Sequence, residues 1–240
     1  DKLVSFAWSK PYRVMGLAMP REGSWLVPPH VHGFMGVLVE EGCREEPPLV
    51  LESLEFDRRD DSFLVRGRAL RSGGKVRHVW TFESLPNDEV VMWEKLTTIR
   101  GVTLARAETG TMGIGRELGS DEITLEWGEE SRTLGRTVDE EDTLLEFPDG
   151  SLTVNGRFTY LWSGRGNVVY RKRGQATRVH GAPGGYGHVQ DDLFVRHIQG
   201  PRTFSPGQVI AEGKVRVRMS TSTTGGGLTT TTTTKRILAN

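Results

Sequence analysis

The chain has 240 residues, and its 31 acidic and 31 basic side chains leave no formal net charge at pH 7. This balance gives no general electrostatic field to attract nucleic acid or a membrane surface. Cys43 is the single cysteine, so an internal disulfide framework is excluded. The sequence has no apolar run near the ~20 residues that span a bilayer. We therefore expect neither nucleic acid nor a membrane as a partner.

The sequence opens on a strand pattern rather than a secretory leader, and its first residue is Asp1 instead of methionine. We expect it to be a piece of a longer protein or a processed product.

Short runs rich in β-branched and aromatic residues predict strands along the first third of the chain. Proline, glycine and charged turns separate these runs, and Pro20 is expected to end the second of them. The predicted strands cover residues 3–8, 12–19, 25–27, 34–39, 49–56 and 63–70.

Residues 76–114 hold the clearest pattern in the sequence. Four large side chains from Val76 to Phe82 occupy alternate positions, so they project to one face of a strand. Turn residues at 86–88 join this strand to a second one and predict a long hairpin. A third strand is expected after Arg100-Gly101. The glycines of 110–115 lack the lysine and the following helix of a phosphate loop, so we interpret them as turn or bulge positions.

The second half of the chain continues in the same way, and helical periodicity is almost absent. A polar stretch, 131–142, is expected to be an exposed loop, and Asn155-Gly156 is typical of a two-residue hairpin turn. Further strands are predicted at 123–127, 144–147, 152–154, 157–162, 167–172, 176–179, 193–198, 209–211 and 214–218.

Many strands with short turns indicate antiparallel pairing in a sandwich or barrel. We predict an all-β protein in which residues 1–218 form one large antiparallel β-sandwich of the supersandwich kind. Residues 219–240 are Ser, Thr and Gly-rich, with six consecutive threonines, and we expect a disordered tail there.

The glycine-rich stretch from His180 to Asp192 has the composition of a site. Tyr186, His188 and His180 could share proton transfer, since tyrosine and histidine act as acids and bases. Arg178 and Arg196 could neutralise a substrate carboxylate. The alternative is an ordinary long connection whose two aspartates cap a turn.

His30 and His32 form a second candidate, because residues two apart in a strand project to one face. Together they could bind a metal ion or an anionic sugar. Two ligands do not complete a zinc site, so we predict neither a metal nor a cofactor and keep these histidines as sugar-binding candidates. Trp25 beside the proline-rich loop is a further candidate for stacking on a sugar, whereas the other five tryptophans are expected in the core.

Three segments give the chain a resemblance to a known family: SFAWSKPYRVMGLAMPREGSWL at the start, VWTFESLPNDEVVMWEKLTTIRGVTL followed by TGTMGIGRE, and PDGSLTVNGRFTYLW. They resemble the β-sandwich region that follows the α/α-toroid in heparinase II/III-like polysaccharide lyases. The resemblance implies a sandwich that packs against a helical toroid and completes a cleft for an acidic, uronate-containing polysaccharide. It also implies a preceding helical domain and an extracellular or periplasmic location.

These observations leave three functions open. The first is the accessory β-sandwich of a polysaccharide lyase, which supports the cleft and does not catalyse alone. The second is a non-catalytic glycan-binding or structural β module. The third is a cupin-like metal enzyme that uses His30 and His32.

Overall fold

A computed structural model describes residues 5–9, 14–21, 24–27, 35–58, 62–85, 89–114, 122–135, 143–148, 150–172, 177–178, 187–188 and 191–219. Before residue 35, and at 113, 143, 177–178, 187–188 and 219, only the backbone is described.

Nearly all of the described chain is β-strand. One short 3-10 turn, Ser72–Gly74, joins two strands, and the described residues include no helix that could cross a membrane. The strands are β1 (Ser5–Ser9), β2 (Val14–Arg21), β3 (Ser24–Val27), β4 (Val37–Glu40), β5 (Val50–Arg58), β6 (Phe63–Arg71), β7 (Val76–Leu85), β8 (Glu89–Thr98), β9 (Val102–Ile114), β10 (Glu122–Trp127), β11 (Glu130–Gly135), β12 (Thr143–Phe147), β13 (Ser151–Val154), β14 (Phe158–Gly164), β15 (Asn167–Lys172), β16 (Thr177–Arg178), β17 (Gly187–His188), β18 (Asp191–Arg196), β19 (Arg202–Phe204) and β20 (Val209–Met219).

The strands form two large antiparallel sheets packed face to face. One sheet has nine strands in the order β11-β10-β13-β14-β20-β8-β7-β6-β5. The other has the order β12-β15-β18-β9-β19, and β4 also pairs with β9. Two smaller sheets, β1-β2-β3 and the pair β16-β17, complete the described strands. The antiparallel β-sandwich predicted from the sequence is confirmed.

Two apolar clusters fill the space between the large sheets. The larger one contains Trp80 and Phe82 of β7 together with Tyr170 and Leu193 from the opposite sheet. The smaller one joins Leu96 of β8 to residues of β4, β9 and the segment after β18. Each large apolar side chain buried in this way contributes about 1.5–3 kcal/mol.

The central meander has the predicted form. Along β7 the even-numbered residues from Val76 to Ser84 are buried and those between them are more exposed, which places Trp80 and Phe82 in the core. The hairpin between β7 and β8 keeps one register throughout, from Val76 opposite Thr98 to Leu85 opposite Glu89. β-branched and aromatic residues on both strands favour this pairing.

Several sequence-based boundaries are wrong. β2 continues through Pro20, with a register shift between Met19 and Pro20 that accommodates the missing N–H group. Residues 131–135 are not loop but belong to β11, a polar edge strand paired with β10. The last two predicted strands are one strand, β20, because Gly213 packs beneath a tryptophan ring rather than forming a turn.

Two predicted turn features are confirmed by backbone angles. Asn155 and Gly156 both have positive φ values, 51° and 60°, as the central residues of a type I′ turn require. The loop is one residue longer than predicted, because Val154 pairs with Phe158 and leaves residues 155–157 between them. Gly110 has φ 59° beside a register shift between β9 and β18, so it occupies a bulge. A Cβ at Gly110 would lie 2.5 Å from the Tyr160 hydroxyl, which donates a hydrogen bond to the Gly110 carbonyl.

Candidate functional site

Among the residues predicted to form the site, Arg196 is the one whose side chain the structure describes. Trp25 lies in β3, Arg178 in β16 and His188 in β17, each with a described backbone only. In the β16–β17 ladder Arg178 is opposite Gly187 and Thr177 is opposite His188. His30, His32, His180 and Tyr186 lie outside the described residues.

The two ends of the predicted loop are fixed inside the sandwich. β15 ends at Lys172 and β18 begins at Asp191, and both side chains are buried. The Tyr170 hydroxyl donates a hydrogen bond to the Asp191 carboxylate. The segment between Lys172 and Asp191 therefore starts and ends at the same end of the adjacent strands β15 and β18.

At the opposite end of these strands, where β15 begins and β18 ends, four polar side chains meet on the outer face of the six-stranded sheet. The Glu146 carboxylate accepts hydrogen bonds from the Arg196 guanidinium, from Asn167 Nδ2 at 3.0 Å and from Gln199 Nε2 at 3.1 Å. These four residues, the Glu146 patch, come from β12, β15, β18 and the segment after β18. Three planar side chains held on one carboxylate form a preorganised set of donors and acceptors.

A second ion-pair group adjoins the Glu146 patch on the same face. Arg171 lies 3.3 Å from a Glu108 oxygen and 3.8 Å from an Asp192 oxygen. Its guanidinium carbon is 4.6 Å from the centre of the Phe194 ring, and that of Arg196 is 5.9 Å from the same ring. Both guanidinium groups are thus held by carboxylates and by an aromatic ring.

His197 holds the backbone on either side of the Glu146 patch through two hydrogen bonds. Its Nδ1 lies 3.0 Å from the Arg165 carbonyl oxygen, so Nδ1 carries the proton, and Nε2 accepts the Thr109 hydroxyl at 2.7 Å. Burial lowers the pKa of His197, against the opposing effects of Glu94 and of the Arg165 bond. The neutral ring fixes the turn before Asn167 and the end of β18, the two places from which Asn167 and Arg196 project.

A separate polar layer crosses the interior of the sandwich between the two apolar clusters. Arg71 uses all five of its N–H groups: two on the Glu46 carboxylate at 2.7 and 2.5 Å, two on the carbonyl oxygens of Met35 and Gly36, and one on His78 Nδ1 at 3.4 Å. Glu46 Oε2 also accepts the Leu38 N–H. Arg71 therefore fastens residues 35–46 to the sandwich.

His78 and Glu94 continue this layer. Arg71 can only donate, so His78 Nδ1 is an acceptor and His78 Nε2–H donates to Glu94 Oε2 at 3.0 Å. Burial is the largest effect on the pKa of His78 and lowers it; Arg71 lowers it as well, while Glu94 and Glu46 raise it. Both side chains are 1% exposed, so this acid–base pair has no access to a substrate.

The tryptophans only partly follow the prediction. Trp80 and Trp162 are buried in the core, as expected, and half-buried Trp127 packs against it, 4.9 Å from the Phe147 ring. The expectation is wrong for Trp93, which is half-buried on the outer face of the nine-stranded sheet, opposite Thr81 and Lys214. It occupies an odd-numbered position of β8, and the even-numbered positions face the core.

Sequence reasoning missed Glu146, Asn167, Arg171 and Gln199. The alternation of buried and exposed positions in β15 and β18 could have placed Asn167, Arg171 and Arg196 on an outer face. The alternation says nothing of which strands are neighbours, and the Glu146 patch exists only because β12, β15 and β18 pair in one register.

The described residues contain no group of three or more histidine, cysteine, aspartate or glutamate side chains arranged to hold a metal ion.

No protein-family model matches the sequence, and no curated protein matches it either. The fold is similar to that of a candidate mutarotase from Salmonella typhimurium, with a TM-score of 0.52 and 11% identity over 91% of this chain and 88% of that chain. At this identity the likeness shows a shared fold.

Two other solved structures are similar over part of their length. The galactosidase domain of an α-galactosidase–sucrose kinase has a TM-score of 0.48 and 12% identity, over 79% of this chain and 30% of that one. A GH36 α-galactosidase from Geobacillus stearothermophilus has a TM-score of 0.48 and 11% identity, over 91% and 39%. The chain thus spans about a third of the length of these two structures. These comparisons do not show the heparinase-like resemblance.

Proposed function

We propose that this chain is a sugar-binding β-sandwich domain of a carbohydrate-active protein and that the Glu146 patch contacts the sugar. The observation that carries the proposal is the Glu146 carboxylate held by an arginine and two amides on a partly exposed face. Each of these side chains can exchange part of its bonding for a sugar hydroxyl, which both donates and accepts. The shared fold with a candidate mutarotase supports a sugar as the ligand.

The charge of the two groups favours a neutral sugar over a uronate. Arg196 is paired with Glu146, and Arg171 lies between Glu108 and Asp192. Neither guanidinium is free to neutralise a substrate carboxylate without leaving a carboxylate of the protein uncompensated. A uronate would therefore meet Glu146 and Asp192 as like charges.

Binding is favoured over acid–base catalysis by the position of the described histidines. His78 and Glu94 are enclosed in the core, and both ring nitrogens of His197 are occupied by Arg165 and Thr109. General acid–base chemistry needs a group within hydrogen-bond reach of the substrate. Lyase action on an acidic glycan remains the finer hypothesis, and it would rely on Tyr186, His188 and His180.

Titration calorimetry with galactose, glucose, a neutral oligosaccharide and galacturonate tests the proposal. We expect a neutral sugar to bind, with galacturonate at least tenfold weaker. Arg196→Ala should weaken the neutral sugar about tenfold, which is about 1.4 kcal/mol. Arg202→Ala is the matched control, because Arg202 is exposed on β19, away from the Glu146 patch. The affinity of this variant for the neutral sugar should stay within twofold of the parent value.

Two further assays separate the alternatives. Polarimetry of freshly dissolved sugar detects anomer interconversion, and absorbance of unsaturated products from a polyuronate detects lyase activity. We expect neither above background. Tighter binding of galacturonate that Arg196→Ala weakens, or equal losses of neutral sugar in Arg196→Ala and Arg202→Ala, would contradict the proposal.

A further inference from the structure

The outer face of the nine-stranded sheet carries a second feature, independent of the Glu146 patch. Trp93 lies at its centre, half-buried, between β7 and β20. Its direct neighbours across the sheet are Thr81 and Lys214, and Val79 and Val91 occupy adjacent positions of the same face. An aromatic ring and short apolar side chains thus form an apolar floor in the middle of the sheet.

Basic side chains outnumber carboxylates around this floor. On β7, β8 and β20 the face carries five cations, Arg77, Lys95, Lys214, Arg216 and Arg218, and three carboxylates, Glu83, Glu89 and Glu212.

Two of these cations are paired, Lys95 with Glu212 and Arg216 with Glu89, each at 2.9 Å. Arg77, Lys214 and Arg218 are exposed and make no ion pair or hydrogen bond with the described part of the chain.

We propose that this face binds an acidic polysaccharide. One sugar ring of the polymer lies on Trp93, and carboxylate or sulfate groups along the polymer contact Arg77, Lys214 and Arg218. An aromatic face with cations at its rim is complementary to a polymer that has an apolar ring surface and anionic substituents. This surface has an excess of basic side chains, whereas the charges of the Glu146 patch are balanced. The proposal does not depend on the sugar-binding function proposed above.

The spacing of the cations indicates which polyanion fits. Arg218 is four residues from Lys214 along β20, or about 13 Å, and Arg77 is about 14 Å from Trp93 on the opposite side. Nucleic acid carries a phosphate charge every ~3.4 Å along each strand, so these three cations would neutralise only a small part of it. A polysaccharide with one carboxylate on each sugar has a lower charge density than a nucleic acid strand, and its apolar ring surface can contact Trp93 without a charge on the protein. The zero net charge of the chain also removes the long-range attraction that nucleic-acid binding uses.

Binding of the full chain to immobilised alginate, with neutral dextran as the reference polymer, tests the proposal at 20 and 150 mM NaCl. We expect alginate to bind and dextran not to. The double variant Lys214→Gln/Arg218→Gln should raise Kd at least tenfold at 20 mM NaCl and give a shallower salt dependence, because the lost contacts are screened charges. Arg202→Gln, an exposed cation on the other sheet, should change Kd less than twofold.

Trp93 provides a second measurement. Trp93→Phe should keep most of the affinity because a ring remains, whereas Trp93→Leu should lose at least fivefold with the apolar volume largely kept. The thermal midpoints of all variants should stay near that of the parent.

Three results would overturn the proposal: no binding of alginate by the parent chain, no weakening in the double variant, or equal weakening in Arg202→Gln. Tighter binding of poly(dT) than of alginate at equal charge concentration would assign the face to nucleic acid instead. Binding of neutral sugar at the Glu146 patch is unaffected by any of these results.

Discussion

At the scale of single residues, the neighbours of a buried ionisable group shift its pKa in opposite directions. Burial, with a smaller contribution from Arg71 beside Nδ1, lowers the pKa of His78, although Glu94 and Glu46 raise it. A proton on Nδ1 would point at a guanidinium N–H, so protonation costs a hydrogen bond as well as desolvation.

This arrangement predicts a loss of stability in acid. The folded pKa of His78 lies below the unfolded value of ~6.5. The unfolded chain therefore takes up the proton first, and stability is lost as pH falls from 6.5 toward the folded pKa. The limiting slope is about 1.4 kcal/mol per pH unit for each such histidine. Urea unfolding at pH 7.5, 6.5 and 5.5 measures it.

His197 has the same direction of shift, so His78→Gln should flatten the acid dependence without abolishing it. An unchanged slope in His78→Gln would contradict the assignment.

Gly67 is a second position at which packing in the core restricts the residue type. A Cβ there would lie 2.0 Å from Trp80 Cζ2, in a ring that is itself buried. Gly67→Ala should destabilise the protein by about 1–3 kcal/mol, since an overpacked core must shift side chains or backbone. Gly101→Ala is the control, because its nearest atom would be the Phe204 carbonyl oxygen at 3.9 Å. Denaturation midpoints of the two variants compare them, and similar losses would show that the packing argument is wrong.

At the scale of elements, short β4 depends on side chains outside the strand. It has four residues and pairs only with β9 among the described strands. Arg71 holds the segment on both sides of it through Met35, Gly36 and Glu46.

Arg71→Met should therefore cost about 3–5 kcal/mol, the usual result of removing one partner of a buried ion pair. Hydrogen exchange should rise first in residues 35–46. The matched control is Lys95→Met, which breaks the exposed pair with Glu212 and should cost less than about 1 kcal/mol. Uniform acceleration of exchange across β6 to β9 would mean that Arg71 supports the whole sheet rather than β4.

At the scale of the whole molecule, the predicted disordered tail, residues 220–240, lies outside the described residues. The composition of that segment, mainly Ser, Thr and Gly, predicts that it cannot bury enough apolar surface to offset the entropy of ordering. Removal of Thr221 to Asn240 should leave the midpoint of thermal unfolding within measurement error. A drop of several degrees would mean that the threonine run pairs with a sheet edge.

The sequence by itself determined the secondary structure class and much of the core. Alternation along β7 and β8 is a local property, so it predicted the inward side chains from Val76 to Phe82 and the hairpin between the strands. The turn at Asn155-Gly156 was equally local, because only a few residue types tolerate two consecutive positive φ angles.

Tertiary structure alone decided where polar side chains meet. Trp93 and Trp80 have similar sequence surroundings, yet opposite parity in the same sheet sends one outward and the other into the core. Arg71 and Glu94 are charged and would be expected at the surface, and His78 is a polar residue among the inward positions of β7. They are buried because their strands pair in a register that lets each satisfy the next, and glycines in neighbouring strands leave room for the tryptophan rings. Pairing across β12, β15 and β18 likewise created the Glu146 patch, since strand order depends on long-range contacts that local patterns do not encode.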